Sequence, residues 1–267
     1  MIGARTGSKH VKASIALLLC LAPGLASAQS LQYEGTAYDL DDARVLYRES
    51  HFLSQSGDGA SERVVLYRCP DGTAFARKRV VYGGDAVAPS FEMEDARLGY
   101  REGVRGNGAT REIFVQRESG ADEQRGPLPD AKGLVADAGF DGFVQANWDA
   151  LQRGDTVRFP FLVPSRLDYF NFKVRKEREE TVDGVEASVF RLALGSWWAF
   201  LLPHIDVFYS NDDRQLLRFE GLTNVRDAEG DNLKARIEFP RDSRRPLAAA
   251  ELAAALALPL VAACAGG

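Results

Sequence analysis

The chain has 267 residues, of which 33 are Lys or Arg and 38 Asp or Glu, for a net charge of −5, with 45% hydrophobic and 10% aromatic content. That acidic balance argues against nucleic acid or an anionic membrane surface as the main partner, because both need a basic footprint. The length suits one large β domain or two small ones, and no Pro/Gly/Ser-rich linker divides it.

Arg5, Lys9 and Lys12 lead into the apolar run Ala13 to Ala22, and Ala26-Ser27-Ala28 supplies the small residues that signal peptidase reads at −3 and −1. Residues 1–28 are therefore predicted to be a signal peptide cleaved after Ala28, with the mature chain in the periplasm. The apolar core is shorter than the roughly 18–20 residues of a spanning helix. Leu18-Leu19 before Cys20 do not make a lipobox, so Cys20 leaves with the leader. Losing Arg5, Lys9 and Lys12 leaves 30 basic against 38 acidic residues, a mature charge of −8. Cys69 and Cys264 remain, too few for a disulfide framework.

Residues 29–242 read as a single β-rich domain of short alternating segments separated by turn residues. Tyr47 to Phe52, containing His51, alternates as a strand. Arg63 to Cys69 and Ala74 to Tyr82 flank Pro70-Asp71-Gly72, where proline presets φ and glycine accepts the left-handed position. Leu98 to Arg105 and Arg111 to Arg117 flank Gly106-Asn107-Gly108. Phe140, Val144, Trp148 and Leu151 then recur at helical spacing, with Asp141 placed to cap the start and Gly154 to end the last turn. One amphipathic helix among many strands must lay its stripe on a sheet face. Tyr169 to Val182 and Val185 to Leu194 flank Asp183-Gly184, the type I′ pair that matches strand twist. In the first of these, Phe170, Phe172 and Val174 alternate with Asn171, Lys173 and Arg175, one side buried and the other wet. Ile205 to Ser210, Gln215 to Thr223 and Leu233 to Phe239 close the domain. Residues 243–267 form an Ala/Leu-rich peripheral tail, too broken by Glu251 and Pro259 to span a bilayer, and a Cys264 in a fraying tail implies no bond to Cys69 that matters for stability.

No catalytic constellation stands out. There is no G-x-S-x-G elbow, and His204 with Asp206 offers two metal ligands without a third. His51 needs no special role in its strand. Glu92 and Glu94 share a face that reads as solvated. Cys69 beside Arg68 has no histidine close in sequence to make it a nucleophile. The chain is thus read as a non-enzyme without metal or cofactor. Its one surplus is aromatic. Phe140, Phe143, Trp148, Phe159, Phe161, Trp197, Trp198 and Phe200 are the candidates to line an apolar cavity, since a curved sheet that does not close leaves side chains facing a space a ligand could fill.

Phe208-Tyr209, Leu217, Phe219, Gly221, Asn224-Val225, Gly230, Ile237 and Phe239-Pro240, preceded by Trp197-Trp198 and Pro203, resemble the closing strands of exported bacterial proteins akin to the lipoprotein carriers of the Lol pathway. The resemblance covers about residues 155–240, and no arginine here matches a cargo-binding one by motif. It implies a mainly β fold: a curved antiparallel sheet or half-open barrel with the helix on its concave side, carrying acylated cargo. Two functions follow. The first is a periplasmic protein that binds or carries a lipid, acyl chain or lipoprotein; the alternative is a non-enzymatic envelope interaction or assembly factor with a fully packed core and a protein partner.

Overall fold

The computed structural model describes residues 1–3, 30–56, 59–83, 85–195 and 204–265. The leader 1–28, apart from its first three residues, and the candidates Trp197, Trp198 and Phe200 lie outside the described residues.

Alternating sequence becomes antiparallel sheet almost throughout. The strands are β1 (Leu31–Asp39), β2 (Val45–Ser56), β3 (Gly59–Arg68), β4 (Ala74–Val81), β5 (Ser90–Asp95), β6 (Tyr100–Arg105), β7 (Glu112–Gln116) and β8 (Gln124–Pro127). After the helices α1 (Gly139–Ala146) and α2 (Trp148–Gln152) come β9 (Val157–Val163), β10 (Asp168–Val182), β11 (Val185–Leu194), β12 (Ile205–Ser210), β13 (Leu216–Arg226), β14 (Asn232–Glu238), β15 (Arg245–Pro246) and α3 (Ala249–Ala257). Neighbours in sequence pair as hairpins, and β1 pairs with both β2 and β14, so one sheet runs β8 to β1, then β14 to β9. Gly184 at φ 80 follows Asp183 at φ 49, the mirror-image turn that Asp-Gly favours.

The two edges, β8 and β9, do not pair with each other. Side chains and one stray segment bring them together instead. Val135 bridges in parallel to Phe161 of β9, and Leu134, Ala136 and Leu162 pack with Phe91, Val104 and Ile113 from the other end of the sheet. The result is a curved antiparallel sheet wrapped into a barrel-like shell that, among the described residues, no strand ladder closes. No described helix is long and apolar enough to cross a membrane.

The amphipathic helix is present but broken. Asn147, at φ −106 and ψ 10, separates α1 from α2, and its side-chain amide donates to the Phe143 carbonyl at 2.8 Å. Asp141 is not the cap: the residue before α1 is Ala138, which offers no side-chain acceptor. Asp141 points elsewhere because a buried tyrosine and an arginine engage its carboxylate. Gly139 opens the helix because a Cβ there would fall 1.8 Å from the Val87 carbonyl oxygen. The buried stripe Phe143, Val144, Trp148 and Leu151 packs on Phe159, Val174, Phe190, Val207 and Tyr209, the inward side chains of β9 to β12. Trp148 sits edge-on to Phe190 at 5.4 Å, with the Arg214 guanidinium over its ring.

Two expectations need correcting. Phe170 is 44% exposed, so the inward face of β10 is covered only from Phe172, which packs half-buried against the core that holds Val174. The C-terminal segment is not a frayed tail either. Leu252, Ala255, Leu256 and Leu258 cover Phe52, Val64 and Leu66, an outward apolar patch on β2 and β3 that would otherwise face water. Arg77 donates to the carbonyls of Ala255, Leu256 and Leu258, satisfying orphan acceptors at the end of α3. The chain continues along β4, where the Val261 amide donates to the Ala74 carbonyl. Cys264 thereby reaches Cys69 at the β3–β4 turn, and the two form a disulfide.

Candidate functional site

Strand alternation puts one row of side chains across the inner face, running Tyr33, His51, Val65, Lys78, Met93 and Glu102 from β1 and β2 through β6. The adjacent rows add Glu49 and Tyr67 on one side and Arg63 on the other. Charged residues on alternating strand positions thus point inward, opposite to the usual partition. His51, Glu49, Lys78 and Glu102 are each less than 9% exposed.

Burial of so many ionisable groups requires partners, and most are present, while His51 Nδ1 and the Nε of Arg63 and Arg226 have none among the described residues. The Lys78 ammonium donates to both Asp137 oxygens at 2.9 and 2.8 Å, and Asn224 reaches the same carboxylate at 3.3 Å. Asp137 itself stands at φ 40, a left-handed conformation that Asp tolerates better than most side chains. One turn on, Asp141 accepts from Arg63 Nη1 at 3.2 Å and from the Tyr209 hydroxyl at 2.6 Å. These two ion pairs fasten the start of α1 to the interior of β3, β4 and β12. A third unit links Arg226 to Glu102 through Tyr100, whose hydroxyl accepts from Arg226 at 3.1 Å and donates to Glu102 at 2.6 Å. The fourth is His51 Nε2 to Glu49 at 2.7 Å, with the imidazole stacked on Tyr33 at 4.4 Å.

Burial sets the protonation of these groups. It lowers the His51 pKa, with the Glu49 contact opposing, so the ring tends toward neutral. It raises Glu102, with the Tyr100 hydrogen bond opposing, and raises Tyr209 and Tyr67 strongly.

Beside the polar cluster lies a cavity of about 400 Å³, within the size range of small-molecule sites. One wall is the cluster: Glu49, His51, Arg63, Lys78, Glu102, Asp137, Asp141 and Arg226. The lining also has an apolar part, which includes Phe140, Phe161, Phe172, Leu192, Phe219 and Phe239, the last edge-on to His51 at 5.6 Å. Of the aromatic candidates, Phe140 and Phe161 line this space. Phe143, Phe159 and Trp148 stand behind it in the packed core, with Phe143 and Phe159 rings 4.2 Å apart. The polar wall is absent from the sequence-based candidates, because an inward charge on an alternating strand has the same pattern as an outward one. The signal that could have found it is periodicity within one strand: in β2, Tyr47, Glu49 and His51 share the face of a strand whose apolar members are buried.

His204 and Asp206 do not make a metal pair. Asp206 is engaged by Arg191 at 2.8 Å and Arg178 at 3.3 Å, and His204 Nε2 is 4.0 Å from it. Glu92 and Glu94 pair with Arg101 and Arg77 as an ordinary cross-strand charged face.

The fold and cavity define a barrel-like β protein with an amphipathic interior. No family model matches the sequence, and comparison with curated proteins gave no match. Among solved structures, a β-barrel-like protein of the domain of unknown function DUF1849 from Brucella abortus is similar at 10% identity and TM-score 0.51, over 82% of this chain and 98% of that one. A DUF1329 family protein from Desulfovibrio piger (10% identity, 84% and 88% coverage) and a putative outer membrane lipoprotein-sorting protein domain from Vibrio parahaemolyticus (8%, 85% and 88%) each align at TM-score 0.27. The likeness to a lipoprotein-sorting domain is thus confined to an alignment at TM-score 0.27, on which nothing is built. The shared fold rests on the Brucella protein.

Proposed function

We propose that this protein is an exported periplasmic binding or carrier protein that holds an acyl chain, of a lipid or a lipoprotein, in the cavity between α1 and the inner sheet face. The observation that carries this reading is the cavity itself: about 400 Å³ lined by both apolar side chains and a buried polar cluster. Such a space matches a molecule with an apolar tail and a polar end. A cavity of this size counts against the alternative of a fully packed core serving only as a scaffold. The Cys69–Cys264 disulfide suits an oxidising compartment and is consistent with export.

The test is extraction of protein purified from periplasm without detergent, using organic solvent followed by mass spectrometry. Stoichiometric acyl-containing molecules are expected. A clean blank, together with no uptake of a fluorescent acyl probe, would return the protein to the scaffold reading.

A further inference from the structure

The permanent cations that line the cavity are not equivalent. Lys78 donates to both oxygens of Asp137, and Arg63 meets Asp141 at 3.2 Å. Arg63 keeps a buried Nε without an acceptor, but its charge is met. Arg226 is different, because among the described residues its partners are all neutral. Its Nη1 donates to the Gly230 carbonyl at 2.6 Å and its Nη2 to the Tyr100 hydroxyl at 3.1 Å, while its Nε is buried with no acceptor. Glu102 is joined to it only through that hydroxyl, and burial pushes Glu102 toward its uncharged form. Of the five N–H donors that a guanidinium carries, these contacts leave several unused, and no carboxylate balances the charge.

The place of Arg226 gives that charge a use. It lines the cavity with Phe219 and Leu222 of its own strand, and it also lines a neighbouring polar cleft with Arg97, Arg117, Glu118 and Glu229. Arg97 grips Asp95 through two nitrogens and donates to the Arg226 carbonyl, so it fixes the strand and offers no free charge. Arg117 donates to the Ser165 carbonyl. Glu118 and Glu229 are exposed, where water and salt screen them, and neither pairs with Arg226. We propose that Arg226 binds the anionic end of the cavity's ligand, a carboxylate or a phosphate monoester, while the apolar tail lies along the aromatic part of the lining. This rests on the acyl-binding reading above and names the class of head group. An anion there supplies the counter-charge that Arg226 lacks, through charge-assisted hydrogen bonds of the kind arginine forms with both groups.

The experiment titrates 11-(dansylamino)undecanoic acid and its methyl ester into the mature protein at neutral pH, with dansyl fluorescence as the readout. An apolar site without a cation prefers the ester, because the acid must shed the hydration of its charge. With Arg226 as the anchor, the acid should bind at least about tenfold more tightly. Equal binding, or a preference for the ester, overturns the anion subsite and leaves acyl binding intact. Binding of neither overturns the acyl-binding reading, and the subsite with it. Competition against the bound acid separates the two head groups: displacement at lower concentration by monododecyl phosphate assigns a phosphate, by dodecanoic acid a carboxylate, and displacement by neither overturns the assignment. Arg226→Gln should weaken the acid at least about tenfold and change the ester by less than about twofold, with Arg226→Lys keeping part of the preference. Equal effects on acid and ester would make Arg226 a structural residue stacked on Tyr100, 4.3 Å from its ring, and overturn the inference. In the parent protein, where folding is not in question, the acid should protect Arg226 from phenylglyoxal, read by peptide mass, and the ester should not. Equal modification with and without the acid overturns the placement at Arg226.

Discussion

Replacing Cys69 and Cys264 together with serine removes a covalent link between residues separated by 195 positions. The chain-entropy relation gives about 5 kcal/mol for a loop of that length, and disulfides in practice contribute about 2–4 kcal/mol. The native contacts that bring the two ends together do not depend on the bond: Arg77 still caps α3, and Val261 still bonds to Ala74. The loss should therefore come from a freer unfolded chain, with little change in the folded one. At about 2–4 °C per kcal/mol for a domain this size, a loss of about 3–4 kcal/mol lowers the melting temperature by about 6–16 °C. The assay is a set of thermal and urea melts of the oxidised protein, the same protein with reductant, and the double serine variant, the latter two agreeing. Truncation after Arg245 should cost more than either, because it also strips the cover from Phe52, Val64 and Leu66. A double serine variant within about 2 °C of an oxidised parent, with the bond confirmed by mass, would refute this account of how the C-terminal segment is held.

Trp148→Ala should cost about 3–5 kcal/mol in urea denaturation, because the indole is buried against Phe190 and Tyr209 as a core anchor; a loss below about 1 kcal/mol would show α2 to be a loosely held cover. Lys78→Met leaves the Asp137 carboxylate without its cation and should cost about 3 kcal/mol, whereas Lys78→Met with Asp137→Asn, which removes the charge and keeps a residue that accepts φ 40, should recover much of that, as measured by the same denaturation; equal losses would mean the pair is not coupled. His51 has its folded pKa lowered by burial, so the unfolded chain binds its proton more readily: stability should be complete above about pH 6.5 and fall as pH drops below it. Melts from pH 7.5 to 5.5 should show that decline in the parent and a shallower one in His51→Gln, and identical slopes would remove His51 as the cause.

How far the sequence carried depends on what kind of signal each feature leaves. The hairpins at Pro70-Asp71-Gly72 and Asp183-Gly184 were legible because turn chemistry is local. The curved sheet with a helix on its inner face followed from one 3.6-period stripe among period-2 segments. The break at Asn147 and the role of Asp141 were not legible, since a carboxylate at a helix start looks like a cap until Arg63 and Tyr209, far off in sequence, claim it. The polar wall failed for a related reason. Glu49, His51, Lys78 and Glu102 each sit in a strand whose alternation is correct, but which face is inside is decided by curvature of the whole sheet. The Cys69–Cys264 bond is not legible because an Ala/Leu-rich helix gives no sign, by itself, of the outward apolar patch of β2 and β3 on which it docks.

The most direct test of the account fills the cavity from its apolar lining. Leu222 lines the space and is 41% exposed, so Leu222→Trp can add bulk toward the cavity without displacing a buried core residue. Titrating parent and variant with the methyl ester of 11-(dansylamino)undecanoic acid, alongside a thermal melt of each, separates blocked binding from damaged folding. The expected result is saturable binding by the parent and an affinity at least about tenfold lower in the variant, a loss of about 1.4 kcal/mol or more, with the melting temperature nearly unchanged. Equal affinity in the two proteins would place the probe outside the cavity and contradict the proposed function.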